Sequence, residues 1–209
     1  LGRHWLSLGY AFVVANVRGG GEFGPAWHQA AILKNKHKSV EDLLAVVHDV
    51  HARGLSTAKQ TGLQGGSNGG LMVLAAMVDE PDSVGAVVAE VPLADMLRYP
   101  HLSSGASWLA EFGDPHSEDE DQQRALYDLS PYHRIAHQRT YPATLLTTSL
   151  SDDRVHPAHA FKTYARLQQL EQASWLYCPE DGGHSGNSTQ EELADETAVI
   201  MTFFAKQLA

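Results

Sequence analysis

Gln64-Gly65-Gly66-Ser67-Asn68-Gly69-Gly70 lies between a short stretch, Thr61–Gln64, and a strongly apolar one, Gly69–Val78 (GGLMVLAAMV). The first reads as a strand and the second as a helix, so Ser67 stands at a strand-to-helix turn in a G-x-S-x-G pattern. Such a turn strains the backbone of its central residue and packs its neighbours closely, so a side chain at Gly65 or Gly69 is expected to clash. The turn would lift Ser67 Oγ clear of the sheet. It would also aim the Asn68 N–H and the helix N-terminus at a developing oxyanion. A phosphate-binding loop is the other use of such a junction, but residues 65–70 lack its G-K-[ST] ending. The plainer alternative is a glycine-rich turn with an incidental serine; a strand before and a helix after favour a nucleophile.

Outward from this turn the chain alternates strands and helices. Tyr10–Val17 (YAFVVANV) reads as a buried strand ending at Arg18-Gly19-Gly20-Gly21. Ser39–Arg53 has apolar residues near a 3.6 period, with Ser39 as N-cap, acids in the first turn and Gly54 at the end. Pro81 stops the helix after Ser67, and Val84–Val91 is a further strand. Ala94–Tyr132 breaks the regularity with Pro, Gly, aromatic residues and the acidic run Glu118–Asp121, which reads as a solvated segment or helix start. Alternation resumes with strand Ala143–Ser149, helix Pro157–Leu170, strand Ser174–Cys178 and helix Gln190–Leu208. Strands separated by helices mean a mostly parallel sheet flanked by helices, an α/β domain over 1–209 with 94–132 as an insertion or cap segment.

Composition narrows the function. The 209 residues are 43% hydrophobic and 19% charged, and a chain of this size buries roughly 70% of its unfolded surface. Twenty-five acids against fifteen bases leave a net charge of −10, which argues against nucleic acid or a membrane surface as partner. No run of about 18 apolar residues is present. The single cysteine, Cys178, excludes an internal disulfide framework or a multi-cysteine metal site, and its predicted strand makes it a core hydrophobe. The chain opens on Leu1 and enters a strand pattern almost at once. It therefore reads as a piece of a longer chain whose signal peptide cannot be judged; the cytoplasm is the expected compartment, with periplasm and secretion left open.

A serine nucleophile needs a base within hydrogen-bonding reach, oriented by a carboxylate. Of twelve histidines, His37, His48, His51 and His159 lie in or beside helices with exposed polar neighbours. His184 differs: it sits in the glycine-rich loop 180–186, after the last strand and before the last helix, where an α/β-hydrolase keeps its base, following the chain order Ser, acid, His. For the acid, Asp152 and Asp153 follow the strand Ala143–Ser149, at the carboxyl end where parallel sheets gather functional groups. One should face His184 and the other cap the helix near Pro157; spacing alone does not choose. His156 and His159 with a neighbouring aspartate form a weak zinc reading. Gly19-Gly20-Gly21-Glu22-Phe23-Gly24 matches G-x-G-x-x-G, but Pro25 follows and no apolar helix opens, so a dinucleotide site is not indicated.

Asn16-Val17-Arg18-Gly19-Gly20-Gly21-Glu22-Phe23-Gly24, Trp27-His28, the Ser67 turn, Asp152-Asp153-Arg154-Val155 and Gly183-His184 together resemble the prolyl oligopeptidase family of serine peptidases, in order and over essentially the whole chain. The resemblance implies an α/β-hydrolase fold, here partial and lacking the first strands, and hydrolysis of short peptides after proline through an acyl-enzyme. It implies Ser67 as nucleophile, His184 as base, Asp152 as orienting acid and Asn68 N–H as an oxyanion donor. Arg154 would bind a substrate carbonyl, Trp108 would stack on the P1 proline, and Phe112 and Val155 would line that pocket. No cofactor and no metal is implied. Other α/β-hydrolase activities, an esterase or an acylaminoacyl- or dipeptidyl-type peptidase, and a catalytically silent assembling fragment remain alternatives. Trp27 and His28 are expected to pack structurally.

The resemblance further implies a second oxyanion donor, a tyrosine hydroxyl, and a β-propeller upstream of Leu1. It also implies an earlier strand, lying in the sheet between the strands at Tyr10–Val17 and Thr61–Gln64. A chain without them would expose sheet edge and apolar surface, so self-association is expected.

Overall fold

The computed structural model describes residues 2–179, 182–184 and 189–209. Of the glycine-rich loop 180–186 only Gly182, Gly183 and His184 are therefore described, and residue 1 lies outside the described residues. Four of the expected strands form: β1 (Gly62–Gly66), β2 (Ala86–Glu90), β3 (Ala143–Thr147) and β4 (Ser174–Tyr177). All pair in parallel in the order β1-β2-β3-β4. Parallel neighbours need crossovers, and the helices supply them. In chain order these are α1 (Gly2–Ser7), α2 (Pro25–Gln29), α3 (Lys38–Ala52), α4 (Asn68–Asp79), α5 (Leu109–Phe112), α6 (Glu120–Leu129), α7 (Pro131–Arg134), α8 (Ala158–Gln169) and α9 (Gln190–Gln207).

The two-residue period of the strands divides the core. Val87, Ala89 and Leu146 face the side covered by α3, α4 and α8, whereas Ala86, Val88 and Leu145 face Ile200, Phe203 and Phe204 of α9. α3 turns Val40, Leu44 and Val47 inward at helical spacing. α4 packs against α3 as well as β1 and β2, so apolar residues all round suit it: Leu71 and Val73–Val78 are all buried. Full burial of a Leu, Val or Met side chain stabilises by about 1.5–3 kcal/mol.

Tyr10–Val17 is not a strand. Most of its apolar side chains stay in water: Tyr10 and Phe12 are 46% exposed, Val13 52% and Val14 71%. β-propensity creates no strand without a partner backbone, and among the described residues β1 pairs only with β2. The segment 94–132 does not stand apart as a lobe. Met96, Tyr99, Phe112, Leu126 and Leu129 join the main core cluster. Its acidic run starts α6, where the Asp119 carboxylate accepts the N–H groups of Asp121 and Gln122. Cys178 falls just beyond β4 and is half-buried rather than part of the core.

Candidate active site

Ser67 follows β1 and caps α4 with φ 57° and ψ −117°, a left-handed conformation that costs a non-glycine residue about 1–3 kcal/mol. The surroundings enforce it. Ser67 N–H donates to the Glu90 carbonyl at 2.8 Å, tying the turn to the end of β2, and Leu71 N–H donates to the Ser67 carbonyl at 3.1 Å. A Cβ on Gly65 would come within 2.4 Å of the Gly69 carbonyl oxygen, and one on Gly70 within 2.7 Å of Pro92 Cβ. Gly69 itself faces open space. The close approaches are therefore at Gly65 and Gly70, and the clash expected at Gly69 does not exist. Glu90 beneath the turn accepts from Gln64 Nε2 at 2.8 Å, and burial pushes its carboxyl above the usual carboxylate range.

The turn presents Ser67 Oγ 3.0 Å from His184 Nε2, and His184 Nδ1 lies 3.0 Å from Asp152 Oδ2. With the carboxylate accepting at Nδ1, the imidazole carries its proton there and offers Nε2 as acceptor for the serine hydroxyl. The three residues follow β1, β3 and β4, at the carboxyl ends of parallel strands. Asp152 is held by its own loop: Oδ1 accepts from Arg154 N–H at 3.0 Å and Val155 N–H at 2.9 Å. Its side chain is 0% exposed and that of His184 15%. Asp153 is exposed and caps no helix; at the start of α8 it is His156 Nδ1 that accepts Ala158 N–H, at 3.1 Å. Asn68 is the first residue of α4, so its N–H has no acceptor within the helix.

The segment carrying Trp108 and Phe112 is tied to the acid loop, because Ser104 N–H donates to the Arg154 carbonyl at 3.2 Å. Trp108 is half-buried in the turn Gly105–Trp108 and packs on the main core. Phe112 is 4% exposed and meets the Tyr99 ring edge-on at 5.6 Å. Val155 is buried, while the Arg154 side chain is exposed and makes no ion pair among the described residues. Trp27 Nε1 donates to the Val17 carbonyl at 2.8 Å, and His28 Nδ1 lies 2.9 Å from the Gly19 carbonyl oxygen, so both serve the loop backbone.

His159 corrects the sequence reading. It is 1% exposed, and its Nδ1 accepts N–H bonds from Ala94 at 3.2 Å and Asp95 at 3.1 Å. Burial lowers its pKa to about 4. It thus anchors the start of segment 94–132 to α8, a role without a local sequence signal because both partners lie over sixty positions away. His156 and His159, weighed above as zinc ligands, each turn Nδ1 to backbone N–H groups. Among the described residues no group of three or more His, Cys, Asp or Glu side chains converges on a metal position.

Residues 2–209 match the sequence model of the prolyl oligopeptidase family. An uncharacterized peptidase of Sinorhizobium fredii is 38% identical over 208 residues, a match covering 100% of this chain and 28% of that protein. The prolyl endopeptidase of Dictyostelium discoideum is 34% identical over 203 residues, covering 94% of this chain and 26% of that protein. The solved structure of a post-proline cleaving enzyme from Rickettsia typhi superposes with a TM-score of 0.89 at 36% identity, covering 92% of this chain and 28% of that one. The chain thus spans little more than a quarter of the length of these relatives.

Proposed function

The chain belongs to the prolyl oligopeptidase family, and on that premise we propose that it is the catalytic part of a serine peptidase that cleaves short peptides after proline. One observation carries the reading: the unbroken hydrogen-bonded line from Ser67 Oγ through both ring nitrogens of His184 to Asp152. In the proposed mechanism Ser67 Oγ attacks the scissile carbonyl carbon as its proton moves to His184 Nε2. The tetrahedral oxyanion takes the Asn68 N–H at the positive end of α4. Asp152 stabilises the imidazolium and keeps its ring in register, since its far oxygen is occupied by the Arg154 and Val155 N–H groups. His184 then passes the proton to the leaving amine as the C–N bond breaks. Water attacks the resulting ester, losing its proton to His184, and the acid product departs as Ser67 regains its hydrogen.

Proline preference draws support from the apolar character of the Gly105–Phe112 segment. We assign Trp108 as the face against the P1 ring, which has no polar atom to satisfy, Val155 as its neighbouring wall and Phe112 as the buried backing. Exposed Arg154 takes a substrate backbone carbonyl. No cofactor or metal takes part in these steps.

The test is labelling by an alkyl fluorophosphonate, followed by hydrolysis of p-nitroanilide and p-nitrophenyl ester panels. Covalent modification that maps to Ser67, disappears in Ser67→Ala and is accompanied by cleavage of prolyl anilides is the expected result. Labelling unaffected by Ser67→Ala, or turnover of esters alone, would overturn it.

A further inference from the structure

Lys36 is 2% exposed. A buried ammonium is costly unless paired, and its acidic partner among the described residues is Glu111, which receives its Nζ hydrogen bond. The second oxygen of Glu111 lies 3.3 Å from His28 Nε2. Lys36 Nζ also stands 5.3 Å from the centre of the Phe112 ring. One carboxylate of α5 thus meets two stretches of chain far from it in sequence, α2 at His28 and the turn around Lys36. It does so one position from Phe112 and three from Trp108, in a segment where the turn Gly105–Trp108 runs straight into α5.

Both ends of this bridge are rigid. On the loop side, Arg18 holds Asp42 of α3 with a forked pair, Nε at 2.8 Å and Nη2 at 2.6 Å, and Ser39 Oγ donates to the Arg18 carbonyl at 2.6 Å. The next residue, Gly19, has φ 94°, accepts from His28 through its carbonyl, and has no room for a Cβ, which would lie 2.8 Å from Ser39 Oγ. On the other side, Tyr99 Oη donates to the Gly113 carbonyl at 2.6 Å, fixing the residue after Phe112. A continuous set of polar contacts therefore runs from α3 through Arg18, Gly19 and His28 to Glu111, and ends beside the residues assigned to the P1 wall.

We propose that Glu111, hydrogen-bonded to buried Lys36 and lying beside His28, is a positioning residue that sets where Trp108 and Phe112 stand relative to Ser67 and thereby governs selectivity for the P1 ring. The inference rests on the pocket assignment made under the proposed function. Stability alone does not call for a buried ion pair here, because apolar residues of similar volume commonly replace one without loss. What the pair supplies is a unique position. A hydrophobic contact tolerates sliding, whereas a carboxylate hydrogen-bonded to a buried ammonium does not.

The experiment uses the full chain and three reagents: an alkyl fluorophosphonate with no peptide part, and peptidyl phosphonates carrying proline or alanine at P1. The variants are Glu111→Gln, Lys36→Met and the double change Lys36→Met with Glu111→Leu. Simple labelling of Ser67 should persist in all three. The preference for proline over alanine should fall about tenfold in each, the scale on which apolar pockets discriminate. The double variant should melt near the parent temperature, yet its proline preference should stay low. If the parent prefers proline and every variant keeps that preference, or if the double variant regains preference together with stability, the positioning role is overturned. If the parent fails to label with the alkyl reagent, or labels without preferring proline, it is the proposed function that fails first, and the inference falls with it.

Discussion

Ser67 Oγ and His184 Nε2 stand 3.0 Å apart although 117 positions separate them in the chain. The approach depends on two rigid supports, the tight turn at the end of β1 and the carboxylate of Asp152 behind the imidazole. Both supports can be tested separately.

Asp152→Asn keeps an oxygen for the Arg154 and Val155 N–H groups but turns an amide donor toward His184 Nδ1. The imidazole then holds the wrong tautomer for accepting from Ser67. We expect kcat to fall about 10⁴-fold with little change in melting temperature, while exposed Asp153→Asn stays near the parent. Equal losses in the two variants, read by burst kinetics and thermal melting, would refute the assignment.

Gly65→Ala places a methyl 2.4 Å from the Gly69 carbonyl oxygen, while Gly69→Ala points into open space. The first should destabilise by at least about 1–3 kcal/mol, the usual cost of overpacking, and abolish fluorophosphonate labelling. The second should fold and label. Urea melts of the two variants decide it; a stable, reactive Gly65→Ala protein would show that the turn relaxes.

Arg154 contributes its backbone to Asp152 while its side chain stays exposed. Arg154→Ala should leave alkyl fluorophosphonate labelling unchanged and raise KM for peptides at least about tenfold, the scale of one charge-assisted hydrogen bond. Loss of labelling together with peptide affinity would instead mean that the acid loop had moved.

His159 binds its proton less readily folded than unfolded, with a pKa lowered from 6.5 to about 4 by burial. Its contribution to stability is therefore complete above pH 6.5 and is lost as pH falls from there toward 4, by about 3 kcal/mol in total. His159→Asn keeps an acceptor for the Ala94 and Asp95 N–H groups without titrating. Its stability between pH 6.5 and 4 should fall less steeply than the parent's; parallel profiles in denaturant melts would remove His159 from the explanation.

How much was legible in the sequence follows from which interactions are local. The helices at 38–52, 68–79, 158–169 and 190–207 and the four strands lie within two residues of the periodicity reading, because spacing, caps and prolines act on near neighbours. Tyr10–Val17 failed for the opposite reason. Its strand pattern is local, but a strand exists only when another backbone lies alongside. His159 and Lys36 carried no signal, since neighbouring residues do not record that a side chain will be buried against segments over sixty positions away.

By itself the sequence determined the order of strands and helices, the glycine-flanked serine, and the two loops from which a base and an acid would come. These are statements about contiguous residues, set by backbone sterics and apolar period. Only the tertiary structure decided that Asp152 turns to His184 while Asp153 faces solvent, that Gly65 and Gly70 rather than Gly69 need their missing side chains, and that Lys36, Glu111 and His28 meet. Those outcomes depend on how parallel strands align the ends of distant segments, and each is settled by whether a buried charge, a carbonyl or a second backbone happens to lie within a few ångströms.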